Sequence, residues 1–159
     1  ASSLHNLALS LMHLGSYKRA ESFFREALVL RRKLLGEEHP HVAWSMTRLA
    51  MVLQEKGEFA DAELLHHEAL TMQRKLFGNE HQDVVVTLNN LARLKLVLKD
   101  YDVADSLYHV SLSISRNVLA PSHAFIATPL VGLGGVALVV QSLLGNRIYS
   151  SRSRTSLCN

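Results

Sequence analysis

A fixed period of 42 residues runs from the start of the chain to about residue 127. Leu7 and Ala8 return as Leu49 and Ala50, then as Leu91 and Ala92. Tyr17 returns as Phe59 and Tyr101, and the same step links Ala20, Ala62 and Ala104; Leu28, Leu70 and Leu112; and His39, His81 and His123. Self-similarity at a period of about 20–50 residues marks an array of small units, none of which can bury its apolar face alone. Few folds accept that constraint, and the pattern inside each unit narrows them further.

Each unit divides into two helical patterns. Leu4, Leu7, Ala8 and Leu11 fall at i, i+3, i+4 and i+7, one stripe of a helix turned to a core, and Met46, Leu49, Ala50 and Leu53 repeat it. Lys95 interrupts the stripe in the third unit. Turns are predicted at Gly15 and Ser16 and again at Gly57 and Glu58, where glycine can take the positive φ that ends a helix. A second stripe follows, with Ala20, Phe23, Phe24, Ala27, Leu28 and Leu34 in the first unit and Ala62, Leu65, Ala69, Leu70 and Leu76 in the second. Gly36 and Gly78 close these second helices, and Pro40 suits the first turn of the next helix, where its missing N–H is harmless.

The pattern predicts an all-α chain: helix, turn, helix, loop, three times over, with units at about 1–42, 43–84 and 85–127. First helices of about three turns are marginal alone, so neighbours must stabilise them. The recurrent alanines mark places where two helices cross closely, which makes Ala50→Leu costly, whereas Lys56 reads as solvent-facing.

Charge excludes some functions. Residues 1–127 carry 14 Lys plus Arg against 14 Asp plus Glu, and the net +3 arises from Arg147, Arg152 and Arg154. A neutral body with aromatic residues on core stripes is no footprint for nucleic acid. Hydrophobic residues at 48% and charged residues at 19% exclude a disordered chain. The single cysteine, Cys158, has no intrachain partner, which points to a reducing compartment and a cytoplasmic location. The chain opens at Ala1 within a helical pattern and without a secretory signal, as expected of a piece of a longer protein.

No catalytic or cofactor signature is present. Gly132, Gly134 and Gly135 lack the lysine and strand context that phosphate binding needs, and Cys158 has nothing nearby in sequence to activate it. The histidines do not read as metal ligands either: His39, His81 and His123 recur one per unit, which predicts a repeated loop hydrogen bond. His66 fills the slot of Phe24 and Tyr108 and reads as a packed ring. The expectation is a non-enzyme with no cofactor and no metal.

The strings LHNLA (Leu4 to Ala8), LNNLA (Leu88 to Ala92), AESFFREAL (Ala20 to Leu28) and LLGEEHPHVA (Leu34 to Ala43) resemble tetratricopeptide repeats, in the 42-residue form of kinesin light chains. The resemblance covers about residues 1–127. It implies a right-handed superhelix, an α-solenoid of antiparallel helix hairpins, whose first helices line a concave groove for an extended peptide or a partner helix. It also implies that Asn6 and Asn90, at the groove position of the LNNLA string, hold a ligand backbone. The middle unit departs from it, because Arg48 replaces the asparagine and invites an acidic ligand group. The stripe opposite the hairpin contact offers His5, Asn6, Leu9, Met12 and His13; then Trp44, Thr47, Arg48, Met51 and Glu55; then Asn89, Asn90, Arg93 and Val97. Of these, Asn6, Leu9, His13, Trp44, Arg48, Met51, Asn90 and Arg93 form the candidate peptide-binding set, amides and arginines for polar groups, apolar residues for anchors.

The C-terminal part is different. Residues 117–146 contain no Asp, Glu, Lys or Arg. Residues 128–146 read either as a degenerate first helix of a fourth repeat, with Leu133 and Gly134 in register with Leu91 and Ala92, or as a hydrophobic membrane segment flanked by arginines. An apolar terminal helix of this kind is expected to touch lipid, self-associate or bind another surface. Residues 147–159 read as a disordered basic tail. The primary expectation is a protein-interaction scaffold; the rivals are a membrane-tethered adaptor and a regulatory module of a larger enzyme.

Overall fold

Glycine at the end of a helix and a short polar link before the next one dictate hairpins, and the computed structural model consists of them. It describes residues 2–118, 128–139 and 141, all of whose regular structure is helical. Six helices run as α1 (Ser2–His13), α2 (Tyr17–Leu35), α3 (Pro40–Glu55), α4 (Phe59–Phe77), α5 (Gln82–Val97) and α6 (Tyr101–Val118). A seventh, α7, covers residues 128–139. The pairs α1/α2, α3/α4 and α5/α6 form hairpins, and α2 against α3 and α4 against α5 join one hairpin to the next.

The hairpin turns are built alike. Ser16 N–H donates to the Leu11 carbonyl at 2.9 Å, Glu58 to Leu53 at 2.9 Å and Asp100 to Lys95 at 2.9 Å. This closure needs a residue of positive φ just before the donor, and Gly15 (71°), Gly57 (84°) and Lys99 (62°) supply it. Between hairpins the repeated histidine acts as an N-cap. His39 Nδ1 accepts from the His41 N–H and His81 Nδ1 from the Asp83 N–H, each at 3.1 Å, so the expected loop hydrogen bond is present at both; His123 lies outside the described residues. With Pro40 at the first turn, this cap starts α3 early. Accordingly α3 and α5 are 16 residues long, more than four turns rather than the expected three.

The recurrent alanines Ala8, Ala20, Ala50, Ala62, Ala92 and Ala104 are fully buried, as close helix crossings require. Several sequence expectations need correction. Leu7 is 45% exposed while Leu49 and Leu91 are 2% and 1%, because no helix among the described residues packs outside α1. Leu34, in the last turn of α2, is exposed as well. Lys56 is not a free surface cation: it is half-buried and its Nζ bridges Glu21 and Glu58, each at 2.5 Å. Lys95, on the core stripe, is held by Glu63 at 2.6 Å across the joint from α4 and by Asp100 at 3.8 Å.

A polar seam runs inside the hairpins and crosses between them at Ser45 and Thr87. In the first unit Arg31 is buried with Nη1 3.4 Å from His5 Nδ1, and donates to Ser45 Oγ on α3. At the same columns in the second, Gln73 Nε2 approaches Thr47 Oγ1 at 3.4 Å, and Thr47 meets Thr87 at 3.1 Å. In the third, where Ser115 holds that column, Ser111 Oγ one turn earlier donates to Asn89 Oδ1 at 2.7 Å.

Val136 of α7 is buried in a cluster with Ala92, Ala104 and Tyr108, and Leu133 packs against it. Among the described residues no helix is long and apolar enough to cross a membrane. The twelve described residues of α7 span about 18 Å at the usual helical rise, against a bilayer core of about 30 Å. Residues 142–146, and the basic tail 147–159, lie outside the described residues.

Candidate functional site

Four of the eight candidate groove residues meet in one place. Trp44, Arg48 and Met51 project from successive turns of α3 and Asn90 from α5, and together they line a cavity of about 290 Å³ with Thr47, Gln73, Gln82, Asp83, Val86 and Thr87. This volume lies at the small end of the roughly 300–1,000 Å³ typical of small-molecule sites, enough for a side chain rather than a cofactor.

Trp44 is the centre of the arrangement. The His5 ring stacks on it with centroids 4.0 Å apart, while the Arg31 and Arg48 guanidinium carbons lie 5.4 and 5.2 Å from its ring centre. Cation–π attraction of about 0.5–2 kcal/mol per pair holds such a stack. Burial lowers the pKa of both arginines from the ordinary value, yet the group stays charged. Burial, then the charges of Arg31 and Arg48, pushes His5 down to about 4, so its ring is neutral at neutral pH.

Arg48 is the cation among the residues that line the cavity. It is half-buried, and among the described residues its one polar side-chain contact is a 3.9 Å approach to Met51 Sδ; no carboxylate lies within ion-pair distance. Nearby in the same cavity, the buried Asn90 Nδ2 and Gln73 Oε1 have no hydrogen-bond partner. Buried polar groups without partners cost about 1–3 kcal/mol each, and a ligand that satisfies them recovers that cost on binding. Asp83, on the α5 wall, adds a carboxylate to the lining.

The other four candidates lie elsewhere. Asn6 is exposed, with its carbonyl accepting from Ser10 Oγ at 3.1 Å, and His13 is exposed at the last turn of α1. Leu9 is half-buried against the main core. Arg93 is exposed, 3.7 Å from Glu55, and borders a separate, apolar cavity with Leu96, Tyr108 and Gly132. His5, Thr47 and Asn89 do not form the open groove surface: all three are buried in the polar seam. Gln73 was not foreseen, because it belongs to a second helix; its only signal is a polar residue in the column of Arg31 and Ser115. His66 is a packed ring, fully buried, with neither ring nitrogen bonded; burial, then Arg93 and His67, pushes it down to about 4. Among the described residues no three of His, Cys, Asp and Glu gather as a metal site.

The tetratricopeptide repeat family model matches residues 1–75 and 47–108. Among solved structures, BtubC (BKLC) from P. vanneervenii is similar, with 25% identity and a TM-score of 0.79 over 96% of this chain and 61% of that one. A kinesin light chain-type protein of Podosopora anserina with nearly identical TPR-like repeats gives 23% identity and a TM-score of 0.76 over 85% and 64% of the two chains. The Sgt2 TPR domain from Aspergillus fumigatus gives 14% and 0.62 over 92% and 81%. The chain thus spans about three fifths of the length of the first two. No curated protein sequence matches it. Matched over more than half its length, with a 42-residue period and stacked helix hairpins, the chain belongs to the tetratricopeptide repeat family, its repeats folded as in kinesin light chain.

Proposed function

We propose that this chain holds an extended segment of a partner protein along the wall formed by α1, α3 and α5, and that a carboxylate of that segment enters the cavity between α3 and α5. Tetratricopeptide arrays are interaction scaffolds, and the helix pairs here leave one face of their first helices uncovered by second helices. The observation that carries the reading is the unpaired Arg48 guanidinium beside the unbonded Asn90 amide, both inside one cavity. A carboxylate satisfies both with charge-assisted hydrogen bonds, and the partly desolvated surroundings strengthen them. Asp83 and Gln73 offer acceptors to the backbone N–H groups of the same segment. Exposed Asn6 and Arg93 extend the polar surface to either side.

Trp44 is the only tryptophan of the chain and borders the cavity, so its fluorescence reports occupancy directly. Titration with a panel of acidic peptides is expected to change that fluorescence saturably, with Glu-to-Gln versions of the same peptides far weaker. Arg48→Glu combined with Asn90→Ala is expected to abolish the change while leaving the helical circular dichroism intact. A response that is equal for acidic and amide peptides, or that survives the double substitution, would place binding elsewhere.

We infer further that residues 128–139 stand as the first helix of a degenerate fourth unit following units at about 1–42, 43–84 and 85–127. The support is register: Leu133 and Gly134 lie 42 residues beyond Leu91 and Ala92, and Leu133 and Val136 pack on the third hairpin.

A further inference from the structure

One edge of α7 is packed and the other is open. Val136 is buried against the third hairpin, with Leu133 packed beside it, and Pro129 is buried as well. On the other side Leu130 is 48% exposed, Val131 74% and Leu138 69%, Ala137 is exposed, and a methyl group added at Gly134 would meet nothing within 4 Å. In the complete hairpins the matching positions are covered: Met46 and Leu88, in register with Leu130, and Ala50 and Ala92, in register with Gly134, are at most 1% exposed. What covers them is a second helix with alanine at the crossing.

The residues that follow lack the apolar slots of such a helix. The slots held by Ala20, Ala62 and Ala104, by Phe24, His66 and Tyr108, and by Leu28, Leu70 and Leu112 fall on Asn146, Ser150 and Arg154. An apolar face is therefore presented where a second helix normally closes the hairpin.

We propose that the occupant is the same face of a second copy of this chain, two α7 helices crossing antiparallel about a two-fold axis at Gly134. The face is symmetric about that glycine. Four and three residues before it stand Leu130 and Val131; three and four after it stand Ala137 and Leu138. These offsets lie on one side of a helix. In a two-fold pair each contact occurs twice, so Leu130 meets Leu138 of the second copy, Val131 meets Ala137, and the two glycines face each other. With no side chain at the centre the backbones approach closely, as at the alanine crossings within each hairpin. No charged residue occurs between 117 and 146, so α7 itself brings no like charges to the axis; Asp102 and Asp105 of α6 border the face beside Ala137. The cavity lined by Arg48 lies on α3 and α5 and is not part of this contact.

Light scattering and sedimentation of the full chain are expected to give twice the chain mass. Leu130→Glu and Leu138→Glu are each expected to return it to the single-chain mass with unchanged helical content, while Lys18→Gln leaves the doubled mass. With Cys158 replaced by serine, Gly134→Cys is expected to form an interchain disulfide with itself. Leu130→Cys mixed with Leu138→Cys is expected to cross-link faster than either alone. A single-chain mass at all attainable concentrations overturns the proposal. So does a doubled mass that survives both glutamates, cross-linking at 134 no faster than at exposed Ser22, or a single chain that floats with phosphatidylcholine vesicles through this face.

Discussion

Lys99 stands 42 residues beyond Gly57 and 84 beyond Gly15, and it takes the same left-handed backbone conformation with φ 62°. A side chain there crowds the following carbonyl at a cost of about 1–2 kcal/mol, part of which glycine returns as extra unfolded-chain entropy. Lys99→Gly is therefore expected to raise stability by about 1 kcal/mol, read as a higher urea midpoint at unchanged slope; an unchanged or lower midpoint would count against strain at this turn. The period made this position legible in sequence, since a lysine breaks a column of glycines. Other residues were less so. His5, Thr47 and Asn89 sit one step from the groove column of Asn6, Arg48 and Asn90, and a step of about 100° turns them into the seam. The cavity residues Trp44, Arg48, Met51 and Asn90 were legible because helical periodicity places them on one wall. Gln73 and Asp83 were not, the first because it belongs to the opposite arm of a hairpin, the second because the histidine cap extends α5 toward its N-terminus.

The helix is the scale at which packing decides stability. Ala50 and Ala62 are fully buried where α3 and α4 cross, with Leu49, Leu53 and Ala69 filling the same core. Ala50→Leu must push the two helices apart or force a strained rotamer, and is expected to cost about 1–3 kcal/mol, seen as a lower thermal midpoint. The suitable surface control is Lys18→Gln, since Lys18 is exposed and Lys56 is not free. Element number, type and order followed from the apolar stripes, whose period survives in all three units. Helix starts did not, because capping by an imidazole nitrogen lies outside the usual run of Ser, Thr, Asp and Asn. Exposure of Leu7 also escaped the stripe argument, which records what a face could bury and not whether a neighbour exists to bury it.

In the molecule as a whole, stability passes from one hairpin to the next, and two buried histidines in separate units tie it to pH. His5 and His66 are each lowered from 6.5 to about 4. Above about pH 6.5 both rings are neutral folded or unfolded, and full stability is present. As the pH falls from 6.5 toward 4, the unfolded chain takes up protons that the folded one refuses, so stability drops, by at most about 1.4 kcal/mol per pH unit for each ring. His66→Phe, which places in the second unit the ring type that Phe24 supplies in the first, is expected to flatten the decline of the denaturant midpoint between pH 6.5 and 4. An identical decline in this variant would show that the ring does not resist protonation.

The bonds of Arg31 with Ser45 and of Thr47 with Thr87, which cross from one hairpin to the next, have a consequence for how the units recognise one another. Near-copies joined in tandem could dock out of order, since their apolar faces are interchangeable. Their polar groups are not: an Arg31 guanidinium docked without the Ser45 hydroxyl, or Thr47 without Thr87, strands a donor or acceptor away from water. Both joints are keyed, the first by Arg31 with Ser45 and the second by Thr47 with Thr87, and in those two pairs the chain carries the order of its stack.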